Sequence, residues 1–147
     1  MDLKDIYLNE GRELYDPLAD RHARYESLRN RFMQFVRFFP PPEGGRPFPA
    51  GVEFVPEPDK PLLTVRFCGK ELRFCFDMVG EQGQVRCLVA SPNDVDEEPK
   101  ELSRFTFNGQ GLTNIPPPAG ARDADPLIID SRRTACNIVA NFLMVAF

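Results

Sequence analysis

Few residues in this chain have the types and spacing that chemistry needs. There is one histidine, His22, and there are four cysteines, Cys68, Cys75, Cys87 and Cys136. The densest set of ionisable side chains lies between residues 62 and 90, where Arg66, Glu71, Arg73, Asp77 and Arg86 alternate with apolar residues. Cys75 is the best placed nucleophile, because Arg66 and Arg73 nearby would favour its thiolate. Nucleophilic catalysis also needs a base to activate the attacking group. His22 sits on a helical stripe without a second histidine or a motif beside it, so no Ser-His-Asp arrangement is expected. Glu71 and Asp77 share a strand face with arginine neighbours, which reads as surface ion pairing rather than a general acid and base.

Ligand-holding patterns are equally sparse. Zinc needs convergent Cys and His ligands, and no Cys-x-x-Cys occurs. The acidic run Asn93-Asp94-Val95-Asp96-Glu97-Glu98 lacks the central Gly and final Glu of a calcium loop. Gly44-Gly45 and Asn108-Gly109-Gln110-Gly111 do not open helices, as a phosphate-binding loop would. No cofactor and no metal is expected, and an enzyme is the less favoured reading.

The elements that position these residues begin with Leu62 to Ala90. Three runs alternate apolar and polar residues, so Leu63, Val65, Phe67, then Leu72, Phe74, Phe76, Met78, then Val85, Cys87, Val89 share one face. A two-residue turn at Gly69-Lys70 would pair Phe67 with Leu72 and oppose Arg66 with Arg73. A four-residue turn at 80–83 would pair Met78 with Val85 and oppose Asp77 with Arg86. Both turns keep all apolar sets on one side, whereas a one-residue slip would flip a strand. The other face then carries Arg66, Arg73, Asp77, Arg86 and Leu88. This register sets Cys75 opposite Thr64, roughly 13 Å from Cys68 at strand rise, too far for a disulfide.

Elsewhere the pattern turns helical. Leu18, His22, Tyr25, Leu28, Phe32, Phe35, Val36 and Phe39 recur at three and four and predict a helix over 17–39. Asp16 would cap it, with Pro17 in its first turn, and Pro40-Pro41-Pro42 would stop it. Residues 2–14 read as a short helix or docked arm broken at Gly11. Prolines cluster in 40–61, an extended connection with a possible edge strand over 52–55. Leu102–Phe107 reads as a fourth strand, and Asn108-Gly109 signals a hairpin into a fifth over 110–115. Asp130 or Ser131 caps a last helix over 130–147, apolar on most sides and therefore buried on most sides.

These elements predict one α+β domain over 1–147: a helical segment (1–39), a Pro-rich connection (40–61), an antiparallel sheet of four or five strands (62–115) and a C-terminal helix (130–147). Both helices should cover the sheet face bearing Phe74. The net charge of −4 argues against non-specific nucleic-acid or membrane binding. There is no apolar run long enough to span a bilayer. An N-terminus charged from residue 2 is unlike a signal peptide, so a cytoplasmic protein with reduced thiols is expected.

The favoured function is a non-catalytic protein-binding module, of an adaptor, inhibitor, immunity or chaperone-like kind. It would bind an acidic patch on another protein through Arg66, Arg73, Arg86, Asp77 and Leu88, with a homodimer through the C-terminal helix as a further expectation. One alternative is a ligand or enzyme pocket between the sheet and the Pro-rich loop. Another is nucleic-acid binding through Arg21, Arg24, Arg29, Arg31 and Arg37 on the polar side of the first helix.

Overall fold

A computed structural model describes residues 11–41, 48–55, 57, 59–91, 98–116 and 127–146. Helix α1 (Gly11–Arg37) leads into strands β1 (Glu53–Val55), β2 (Leu62–Phe67), β3 (Lys70–Val79), β4 (Gln82–Ala90) and β5 (Lys100–Phe107), and helix α2 (Arg132–Ala146) follows. The five strands form one antiparallel meander in the order β1-β2-β3-β4-β5. The fold is α+β, as the apolar patterning predicts. The readings of residues 2–10 and of the acidic run 93–97 lie outside the described residues.

Both helices pack on the same face of the sheet, and aromatic rings make the joint. From α1, Phe32 stacks on Phe76 at 5.6 Å and Phe35 meets Phe74 edge-on at 6.1 Å. From α2, Phe142 meets Phe74 at 5.5 Å and Phe105 at 6.3 Å. Leu63, Val65, Leu72, Phe74, Val85 and Cys87 are almost wholly buried beneath them. These are the alternate residues of β2, β3 and β4, so strand periodicity decides which side chains enter the core.

The register differs from the expected one by two residues at each turn. The first turn is Cys68-Gly69, both with positive φ (50° and 77°), so Phe67 faces Lys70 and Arg66 faces Glu71. The second is Gly80-Glu81, with Gly80 at φ 61°, so Val79 faces Gln82 and Asp77 faces Gln84 rather than Arg86. A shift of two preserves the face of every residue and changes only its partner. Two consecutive positive φ values mark a type I′ turn, which like the expected type II′ turn matches the right-handed twist of the strands. The shift also replaces the opposed arginines with an opposite-charge pair, worth a few tenths of a kcal/mol or more.

Two other boundaries move. Pro17 lies inside α1 rather than at its start, and Gly11 is helical. Residues 11–24 are all exposed, so the carbonyl group that Pro17 leaves without a donor is met by water. The fifth strand of the sheet is β1 at the opposite edge, within the 52–55 stretch that the sequence offers as an edge strand, and 110–115 adds none. There Leu112 and Thr113 make only isolated bridges, to Ile128 and Phe107. The Asn108 side chain accepts from the backbone N–H groups of Gln110 and Leu112, and Gly111 takes φ 85°. That side-chain-held loop displaces the two-residue hairpin turn.

Gly83 on β4 faces Phe107 on β5, and a Cβ there would run into the Phe107 ring. Phe107 is almost wholly buried and lies 6.1 Å from Phe76, so it has little room to yield. Gly83→Ala should therefore cost about 1–3 kcal/mol by chemical denaturation. Gly109→Ala, which points into open space, should cost well under that; equal losses would show that the Phe107 contact is not the cause.

Candidate interface on the outer sheet face

With both helices on one side, the opposite side of the sheet is left to strand side chains. Its rows follow from the register: Glu53–Arg66–Glu71–Ala90, then Val55–Thr64–Arg73–Leu88–Glu101, then Leu62–Cys75–Arg86–Arg104, then Asp77–Gln84–Thr106. All five residues selected from the sequence lie on this face, but they do not form one group. Arg66 and Arg73 converge on Glu71, whose two carboxylate oxygens accept from Arg66 Nε at 3.1 Å and Arg73 Nε at 2.7 Å. Leu88 lies between Arg73 and Glu101. Asp77 stands at the far end of β3, where its carboxylate accepts the Met78 backbone N–H at 2.8 Å.

Glu71 is the centre of the first group. Its side chain is only 9% exposed, against 51% for Arg66 and 39% for Arg73. Burial pushes its carboxyl up, but the hydrogen bonds from Arg73 and Arg66 and their positive charge outweigh that and hold its pKa below 4.5. The arginines selected as binding groups are thus already committed to a carboxylate within the chain. Arg86 differs: it is exposed, and it faces Cys75 on one side and Arg104 on the other. Arg104 is bonded to Glu101, while Arg86 makes no ion pair among the described residues. Two opposed arginines served by one carboxylate leave a local positive excess.

Two residues that matter here, Glu71 and Arg104, were not selected from the sequence. Glu71 was assigned to the outer face, but the expected register set it opposite Cys68. A turn centred on the preceding residue pair would have found it. Arg104 pairs with Arg86 across β4 and β5, whose register shifts at Cys87/Leu88, and no turn motif signals that shift.

Burial works against three of the four thiols. Cys68 is exposed in the first turn, and none of the four forms a disulfide. Burial pushes the Cys75 thiol up, and Arg86 and Arg73 only partly oppose this. Its charged neighbours are therefore Arg86 and Arg73, not Arg66 and Arg73. Burial, with Cys75 adding to it, pushes the Cys87 thiol up to about 12. Burial also raises Cys136. His22 is exposed, with the Glu26 carboxylate 4.0 Å from it. Among the described residues, no group of three or more His, Cys, Asp or Glu side chains could hold a metal ion.

On α1 three arginines tie the helix to its own fold, while Arg21 and Arg37 are exposed. Arg24 pairs with Glu81 at 2.9 Å, and Arg29 donates to the Asp59 carbonyl at 3.2 Å. Arg31 donates to the Gly109 carbonyl at 3.0 Å and to Asp130 at 2.9 Å. A cleft of about 370 Å³ does lie between the Pro-rich side and α2, lined by Phe48, Val52, Phe67, Ala140, Leu143 and Met144. Its described lining is apolar, without the placed polar groups that orient a small substrate. No helix among the described residues is long and apolar enough to cross a membrane. No family model, curated protein or solved structure matches the chain.

Two outcomes are expected. Glu71→Gln should cost on the order of 1–2 kcal/mol at neutral pH, since charge-assisted bonds are lost but both arginines can turn to water. Because the folded pKa is depressed, the wild-type advantage is present above 4.5 and disappears as the pH falls through the lower folded value. Denaturation curves of the two proteins should therefore converge in acid; a constant gap would rule out the carboxylate as its source. In native protein, a thiol reagent followed by mass spectrometry should modify Cys68 first and leave Cys87 and Cys136 for the unfolded state. Faster labelling of Cys75 than of Cys68 would contradict its burial.

Proposed function

We propose that this protein is a non-catalytic protein-binding module that uses the outer face of its sheet, with Arg86 and Leu88 at the centre of contact and an acidic patch on the partner. The observation that carries this reading is the asymmetry of the sheet. Two helices cover one face, while the other presents Arg86, without an ion pair among the described residues, beside the partly buried Leu88. A cation flanked by apolar surface is the pattern of an interface anchor, since arginine combines charge with a long apolar stem. Arg66, Arg73 and Asp77 then form the rim. The first two are held by Glu71 and so present a fixed geometry at little further entropic cost. The thiols of Cys75, Cys87 and Cys136, all pushed up by burial, and the exposed His22 support a binding role over catalysis.

The test is recovery of a partner from the native host with tagged protein, followed by binding measurements with the purified partner. Arg86→Glu should weaken that binding by at least tenfold, about 1.4 kcal/mol, and leave the thermal melt nearly in place, because Arg86 is exposed and has no hydrogen bond or ion pair among the described residues. Arg24→Glu, on α1, should have no effect on binding. Equal binding by wild type and Arg86→Glu would remove the outer face as the contact surface.

A further inference from the structure

A bulge, an ion pair and two opposed arginines coincide on the outer side of β5. Glu101 and Arg104 are three residues apart, and in a regular strand an odd spacing puts two residues on opposite faces. Here they share a face. Cys87 faces Ser103 while the next residue, Leu88, faces Glu101, so Leu102 is an extra residue without a partner on β4. Such a bulge re-aims a side chain beside it. It turns Glu101 onto the outer face, where its carboxylate accepts from Arg104 Nη2.

This ion pair stands against Arg86. Arg86 lies directly opposite Arg104, and like charges so opposed repel. The hydrogen bond from Arg104 is the first cause that holds the Glu101 carboxyl below its ordinary pKa; burial works against it, and the charges of Arg104 and Arg86 add to it. One carboxylate of this chain therefore serves two arginines, bonding one and acting on the other across space. All three residues are exposed, and an exposed ion pair gains little over its separated, hydrated partners. Glu101 can leave Arg104 at small cost.

We infer that the acidic partner places a carboxylate between Arg86 and Arg104, and that Glu101 is a built-in competitor for that place, displaced from Arg104 when the partner binds. This competition rests on the outer-face reading and adds to it the ligand group and a residue that restrains its binding. A carboxylate is the group the site fits, because the chain itself supplies one to the same guanidinium, whose fork of N–H groups matches carboxylate oxygens. Competition also sets specificity. A lone acidic residue on the partner only replaces Glu101 at Arg104 and gains the contact with Arg86. A run of acidic residues raises the local supply of carboxylates and displaces Glu101 more completely. The surface thus selects acidic runs over single acidic residues.

The probe is a hexaglutamate peptide, titrated into nitrogen-15-labelled protein while the Nε resonances of Arg86 and Arg104 are followed. Both should move together, and a hexaglutamine peptide should move neither. Glu101→Gln should bind hexaglutamate about threefold more tightly than wild type or better, since the exposed competitor is gone. Adding Arg104→Gln should abolish that gain, because nothing is then left to compete for. Equal binding by wild type and Glu101→Gln, a gain that persists without Arg104, or movement of Arg86 alone overturns the competition. So does a peptide that moves neither arginine, or a stronger response to a short oligothymidylate than to hexaglutamate. The outer-face reading is judged separately, by Arg86→Glu with the recovered partner. Loss of binding there, beside equal binding by wild type and Glu101→Gln, leaves the surface in place and removes only the competitor.

Discussion

The Phe74 ring is the contact on which the rest of the structure depends. It lies on the central strand, wholly buried, with Phe35 of α1 against it on one side and Phe142 of α2 on the other. Tertiary burial of an amphipathic face supplies most of the stability of a helix, more than its own propensity does. Here two helices from opposite ends of the chain secure that burial at one ring. The aromatic joint extends from it through Phe76, Phe105 and Phe107. Aromatic side chains bury large areas and prefer offset or edge-on contacts, so the joint sets both how much surface is removed from water and how the helices lie.

Because that joint claims one face of the sheet, the other face can be polar, and its chemistry is set by cross-strand neighbours. Glu71 shows the consequence. Alone, a carboxylate so little exposed would be costly. Between Arg66 and Arg73 it is satisfied on both oxygens and stays ionised. The pair of arginines is thereby removed from the pool of free charge, and the positive excess moves to the row holding Arg86 and Arg104. Position along the strand therefore separates Arg66 and Arg73, which hold Glu71, from Arg86, which has no ion pair among the described residues.

The helices show the same division along their length. The C-terminal half of α1 is core, and its N-terminal half is an arm with the same stripe but no sheet beneath it. In α2, Ala135, Ile138, Val139 and Leu143 face inward while Met144 and Val145 face out. An apolar stripe longer than the surface it packs on leaves apolar area in water. The stripe continues because helical periodicity is local, whereas the sheet beneath it ends at the β3–β4 turn.

Much of this was legible in the residues alone. Alternation over Leu62–Ala90 determined which side chains enter the core, because a side-chain period of two assigns faces whatever the partner. The three-four spacing from Leu18 to Phe39 and the apolar run from Ala135 to Ala146 determined two helices, and their need for burial determined the layer they occupy. What tertiary structure decided was pairing. Turn geometry moved the register by two residues, converting an expected arginine–arginine opposition into the Glu71 clamp and separating Asp77 from Arg86. It left 110–115 out of the sheet, where Asn108 folded the chain into a loop, and admitted Glu53–Val55, legible in the sequence as an edge strand, as the fifth strand. Faces follow from local periodicity, but partners depend on which two-residue turn forms and on which charges then meet across strands. Neither quantity belongs to any one strand, which is why only the assembled sheet shows that Arg86 remains without an ion pair among the described residues.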